Sequence, residues 1–129
     1  ELSRIALAIK IATARAGTLV FDEIDAGLGG VTARTVAEAL AKLSRGRQIL
    51  CITHLPQIAA MADAHLRISK TEFGGRTLTQ VTSLDETQRL KEIARLASGS
   101  EAPAAIKNAA EMIASALSFK QSLRRHSAH

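Results

Sequence analysis

An α/β fold is predicted for this chain, and three observations predict it. Thr18-Leu19-Val20-Phe21 and Ile49-Leu50-Cys51-Ile52-Thr53 are short apolar runs of strand-favouring residues. Between them, Ala33, Val36, Ala37 and Leu40 recur at helical spacing over about 31–44. Strand, helix and strand in so short a stretch form a βαβ unit, which implies parallel strands and a right-handed crossover.

The elements follow in order. Residues 2–15 carry Leu2, Ile5, Ile9 and Ala12 on one helical face, with Arg4, Lys10 and Arg15 elsewhere, and Gly17 ends that helix. The run 18–21 reads as a central strand covered on both faces. It leads into Asp22-Glu23 and then a glycine-bearing loop, Asp25-Ala26-Gly27-Leu28-Gly29-Gly30. After the helix at 31–44, Gly46 makes the break and 48–53 form a second buried strand. Pro56 suits the first turn of a short helix over 56–62. The pattern then changes. Residues 65–70 alternate, Gly74-Gly75 turns, and 76–82 is rich in Thr and Val, which predicts a hairpin with one wetter face. Asp85 with Gln88 three residues on is a capping-box signature, opening a helix whose stripe is Leu90, Ile93, Ala94 and Ala97. Ser98-Gly99-Ser100 interrupts the chain before Pro103 starts a last helix with Ile106, Ala109, Ala110, Ile113 and Leu117. The division expected is a core lobe over 1–97, a C-terminal helix over 103–122 and a disordered tail over 123–129.

At 129 residues the chain is long enough for one hydrophobic core. Apolar residues make up 47% and charged residues 22%, a globular rather than disordered balance. With 24 alanines, three Phe and neither Trp nor Tyr, packing must rest on aliphatic side chains and close helix–sheet approach. The net charge is +5, yet Lys and Arg are scattered, and the one cluster, Arg124-Arg125-His126, falls in the tail. That favours a solvated basic surface over a dedicated polyanion site. The lone Cys51 reads as a small buried hydrophobe in a reducing compartment, and one cysteine cannot build a Cys/His zinc site. No apolar stretch approaches the ~20 residues that span a bilayer, and the first residues do not resemble a signal peptide. A soluble cytoplasmic protein with no membrane partner is expected.

Chemistry concentrates where the two strands end. Asp22 and Glu23 close the first, and His54 closes the second, thirty-one residues after Glu23. In an open parallel sheet, functional groups gather beyond the carboxyl ends of strands. Adjacent acids there repel and lose hydration, a cost that a divalent cation removes, since one carboxylate can hold Mg²⁺ while the other orients water. The plainer alternative is an acidic loop start with a capping role. His54 would sit about one strand spacing (~4.8 Å) to the side, within reach of a terminal phosphate or an attacking water. Standing alone, it would read as a histidine satisfied by backbone. Ser3 fits either a phosphate contact or an ordinary N-cap, and spacing by itself favours the cap. Asp25 and its glycines could shape an interface turn or a mere connection. Neither a Gly-x-x-x-x-Gly-Lys-[Ser/Thr] phosphate loop nor a Gly-x-Ser-x-Gly elbow occurs.

Together these segments resemble the C-terminal half of an ABC-type ATPase head of the SMC-like group, and within it a bacterial DNA-repair branch. Glu1-Leu2-Ser3-Arg4 is similar to the end of the signature Leu-Ser-Gly-Gly-Glu-Leu-Ser-Arg. Leu19-Val20-Phe21-Asp22-Glu23-Ile24-Asp25 resembles the Walker B strand and D-loop, and Thr53-His54-Leu55-Pro56-Gln57 resembles the histidine switch loop. Ala26-Gly27-Leu28-Gly29-Gly30 is closer to the repair branch than to the SMC proteins proper. The resemblance covers residues 1–115 or so. It implies a partial P-loop NTPase sheet and a role in DNA double-strand break repair and recombination. It also implies ATP and Mg²⁺ as cofactors of the intact protein. In that scheme Asp22 holds Mg²⁺ through the metal's water shell, Glu23 polarises the attacking water, His54 steadies the γ-phosphate, and Asp25 communicates across a two-head interface. The implied partners are the phosphate-loop lobe of the same head, a second head in an ATP-sandwich homodimer, and DNA. Rival readings are the head of another ABC or SMC ATPase, serving chromosome organisation or transport, and a non-catalytic interaction module on the same sheet.

By the same resemblance the phosphate-loop strand lies between the His54 strand and the strand at 65–70, and these residues do not contain it. The Leu-Ser-Gly-Gly of the signature is absent too. An unfilled gap leaves backbone donors and acceptors without partners. Three outcomes are open: another polypeptide fills it, the flanking strands close up, or a second copy pairs there. The expectation is a fragment that self-associates through exposed strand edges or depends on its partner lobe, and that turns over no ATP alone.

Overall fold

The computed structural model describes residues 17–126 apart from Glu23 and Asp25. The helix expected over 2–15, with Ser3, and the tail beyond 126 lie outside the described residues. Strands β1 (Thr18–Asp22) and β2 (Gln48–Ile52) pair in parallel, with Thr18 opposite Gln48 and Asp22 opposite Ile52. Helix α1 (Gly30–Leu43) joins them, as the βαβ pattern requires. Its predicted stripe is the one that packs: Ala33, Val36, Ala37 and Leu40 are buried, joined by Ala41. Alanine at three of these positions keeps the helix axis close to its neighbours.

Side chains alternate along both strands. Leu19 and Phe21 of β1 and Ile49 and Cys51 of β2 pack into the core, where Phe21 has no exposed surface. Val20, Leu50 and Ile52 point the other way and are 55%, 46% and 51% exposed. Among the described residues the sheet is therefore covered on one face, not on both as the unbroken apolar runs predict. An apolar run records a demand for cover on both faces, but not which polypeptide meets it.

Helices α2 (Pro56–Met61), α3 (Glu86–Ser98) and α4 (Pro103–Arg125) complete the helical layer. Pro56 occupies the first turn of α2, and Ile58 through Met61 are buried with it. So short a helix does not persist alone; contacts with α1, α3 and α4 hold it. The capping box of α3 forms as predicted. Asp85 Oδ1 accepts from the Gln88 amide at 2.8 Å, and the Asp85 amide donates to Gln88 Oε1 at 3.0 Å. Gly99, at φ +69°, closes the helix by donating its N–H to the Arg95 carbonyl at 2.7 Å. Replacing Asp85 by Ala removes one of these acceptors and is expected to cost about 0.5–2 kcal/mol of stability, read as a lower Tm in a thermal melt.

Two stripes differ in detail from the sequence pattern. On α3, Leu90, Ile93 and Ala94 pack as predicted, but Leu96 joins them while Ala97 is exposed. On α4, Ala109 and Ala116 are buried, flanked by Ile106, Met112, Ile113, Phe119 and Leu123, whereas Ala110 and Leu117 are exposed. Small residues seven positions apart allow close approach and turn the seam toward the alanine side. Leu123 carries that packing past residue 122, so the helix runs on to Arg125.

Strands β3 (Leu66–Phe73) and β4 (Arg76–Ser83) form the expected antiparallel hairpin, with Phe73 opposite Arg76. Gly74 and Gly75, at φ +57° and +73°, supply the two left-handed residues that such a tight turn demands. The hairpin is a sheet of its own, separate from β1–β2, so the strands flanking the predicted gap do not close up. Leu66, Ile68 and Val81 are 54%, 54% and 60% exposed, so its apolar face is no drier than the other.

Candidate functional site

Asp22 is the last residue of β1 and is exposed. Its register partner Ile52 ends β2, and His54, also exposed, follows two residues later. Because the strands are parallel, both segments leave the sheet at the same end. The two positions are offset by about one strand spacing (~4.8 Å) sideways and by up to ~6.6 Å along the strand. Asp22 and His54 thus leave the sheet at the same end, on neighbouring strands. Glu23 and Asp25, the other predicted site residues, lie outside the described residues.

Both connections at this edge are anchored in the core. Between β1 and α1, Ile24 and Leu28 are partly buried against it. Gly27, between those anchors, has φ +74°, a conformation that any side chain would strain. Gly29 is the extended N-cap of α1, and its carbonyl accepts from the Ala33 amide at 2.8 Å. Between β2 and α2, the Leu55 amide donates to Thr53 Oγ1 at 3.0 Å, closing a turn around His54. Leu55 packs on the core and Pro56 is buried. The backbone is fixed on either side of His54 while His54 itself is exposed. Gln57 links the two connections: its Nε2 lies 3.7 Å from where a Cβ on Gly30 would stand, so the first turns of α1 and α2 meet.

A second polar group lies at the far end of α2, and sequence reasoning missed it. Arg89 of α3 donates from Nη2 to the carbonyls of Ala59, Ala60 and Ala62 at 3.1, 2.9 and 2.6 Å. Burial lowers the Arg89 pKa, with Asp63 opposing. Burial also lowers that of His65; the charge on Arg89 adds to the effect and Glu92 opposes it. Glu92 is 6% exposed, and hydrogen bonding from Arg95 holds its carboxyl below the usual range against the effect of burial. Asp63 is bridged to Lys120 of α4 at 2.8 Å. One signal for Arg89 was available in the sequence: it stands four residues before Ile93, on the apolar stripe of α3, where a cation needs buried acceptors.

No protein-family model matches the chain. Over 104 residues it is 49% identical to the DNA repair protein RecN of Halalkalibacterium halodurans, a match covering 78% of this chain and 18% of that protein. Over 115 residues it is 46% identical to RecN of Deinococcus radiodurans, covering 88% of this chain and 20% of the other. For RecN of Vibrio cholerae the identity is 42% over 120 residues, with 90% and 22% covered. The chain therefore spans about a fifth of the length of the curated relatives it matches. Among solved structures it is similar to a chain from work on ATP-driven dimerization and DNA-stimulated activation of SMC ATPases. That superposition has a TM-score of 0.57 at 26% identity and covers 72% of this chain and 55% of that one. The parallel strand pair, separate hairpin and helical layer are those of a P-loop NTPase-type fold.

Proposed function

Since this chain belongs to the RecN family, we propose that it supplies the Walker B, D-loop and histidine-switch lobe of an SMC-like ATPase acting in DNA double-strand break repair and recombination. The observation that carries this reading is the parallel register of β1 and β2, which brings Asp22 and His54 out at one sheet edge. The donor set fits Mg²⁺, a cation that keeps most of its waters and takes one or two carboxylates beside phosphate oxygens. Among the described residues no group of three or more His, Cys, Asp or Glu is placed to cage a metal. An ion at Asp22 would be held together with water and nucleotide oxygens. Bound ATP and Mg²⁺ would supply the phosphoryl group and neutralise charge on it.

The chain's own residues do the rest. Asp22 would hold the Mg²⁺ through its bound waters. Glu23, next along the chain, accepts a hydrogen bond from the attacking water and draws its proton. His54, held by the Thr53–Leu55 turn, donates to an oxygen of the γ-phosphate. Asp25 lies in the connection that would face a second head, in an ATP-sandwich homodimer. The phosphate-loop lobe of the same head is the remaining partner, and turnover is assigned to the full-length protein, with none from these residues alone. No helix among the described residues is long and apolar enough to cross a membrane, and a cytoplasmic, nucleoid-associated protein is proposed.

The test is His54→Ala in the full-length protein. Removing a donor to the transferring phosphoryl group is expected to lower kcat by about 10²–10³ while ATP affinity stays within a few-fold. Steady-state phosphate release beside fluorescent-nucleotide binding reads both, and an unchanged kcat would remove the reading's main support.

A further inference from the structure

We propose that Arg89 is a positioning residue for the hydrolytic edge, acting through α2 on His54; the inference rests on the function proposed above. A helix leaves its last carbonyls without internal partners. At the end of α2 the carbonyls of Ala59, which also accepts from the Ala62 amide at 3.3 Å, and Ala60, with that of Ala62 just beyond, all converge on one guanidinium nitrogen, Arg89 Nη2. A cation at a helix C-terminus also complements the helix dipole. The nearby carboxylates are engaged elsewhere: Arg95 donates to both oxygens of Glu92, and Lys120 bridges Asp63. Arg89 is thus committed to the end of α2.

The other end of α2 is where the chemistry lies. Leu55 is the N-cap of the helix, and His54 is the residue before it. Six residues of helix span only about 9 Å, and all but Gln57 are buried. A rod this short and this enclosed moves as one body, so a shift at Ala60–Ala62 reaches the turn that carries His54. Arg89 comes from α3, the helix that follows the hairpin, and so ties the switch connection to a distant stretch of sequence. Its stem alone could serve packing; a positioning role makes a further demand, that its donors set turnover through His54.

A mutant cycle in the full-length protein separates the two. Arg89→Met keeps the stem and removes the donors. It is expected to lower kcat about ten- to a hundredfold, the scale of a small misplacement of a reacting group, with KM for ATP within about twofold. Arg89→Lys, which keeps the charge but not the fork, is expected to recover part of that loss. In a His54→Ala background, adding Arg89→Met should lower kcat by no more than about twofold further, because residues acting as one unit are not additive. Assays are run at a temperature where circular dichroism shows each variant folded. Should Arg89→Met not fold, Arg89→Lys carries the same cycle, with an expected loss of about threefold to tenfold. Unchanged kcat in the folded Arg89 variant, or a full second loss on top of His54→Ala, overturns the positioning role alone. If His54→Ala itself keeps parental kcat, the functional reading fails and this inference falls with it.

Discussion

Glu23→Gln in the full-length protein is expected to slow ATP hydrolysis by about 10²–10⁴, the usual worth of a positioned general base, while ATP stays bound. Gln keeps the size of the side chain and can still hydrogen-bond a water, but it cannot take the water's proton. Neighbouring Asp22 is unaltered, so the half of the edge proposed to hold the metal is untouched. The measurement pairs phosphate release with equilibrium nucleotide binding, and the expected pattern is lost turnover with retained affinity. Parental turnover in this variant would instead favour an interaction module that keeps the sheet and hydrolyses nothing.

Phe21→Ala is expected to destabilise the chain by about 3–5 kcal/mol, a large share of the ~5–15 kcal/mol that holds a typical domain together. Phe21 has no exposed surface and is the largest side chain that β1 places in the core. It stands one residue before Asp22 and opposite Cys51. Losing its ring leaves a cavity between the strand and the helices, and the edge that carries Asp22 loses its footing. Urea denaturation should show a lower midpoint with a similar slope. Phe21→Leu, closer in volume, should cost less than half as much. A loss below about 1 kcal/mol for the alanine variant would mean that β1 is held by something other than this core.

What the sequence made legible was local and periodic. Ala33, Val36, Ala37 and Leu40 announced α1, and Asp85 with Gln88 announced the start of α3, because each signal depends on residues within one or two turns. The parallel pairing of β1 with β2, which puts the segments carrying Asp22 and His54 at one end of the sheet, was legible too, since a βαβ crossover joins parallel strands. Long-range geometry was not. Nothing local distinguishes Leu117, which is exposed, from Leu123, which packs; that depends on which way Ala109 and Ala116 turn the seam of α4. The openness of Val20, Leu50 and Ile52 was hidden for a similar reason: periodicity reports which side chains seek cover, and supplies no covering element. Arg89 escaped notice because its acceptors are carbonyls, which every residue carries and no side-chain pattern marks.

Among the described residues no apolar side chain of β3 or β4 belongs to the core or packs against it, and this divides the domain into two mechanical tiers. The β1–β2 pair and its helices can open only by exposing Phe21 and Ile93, so they unfold together and late. The hairpin is secured chiefly by its own ladder and one tight turn, with Arg67 of β3 near Glu92 of α3, and can peel away without exposing Phe21 or Ile93, as a local opening of low free energy. The edge that carries Asp22 and His54 belongs to the rigid tier, since β1 and β2 are the strands that Phe21 ties to the core.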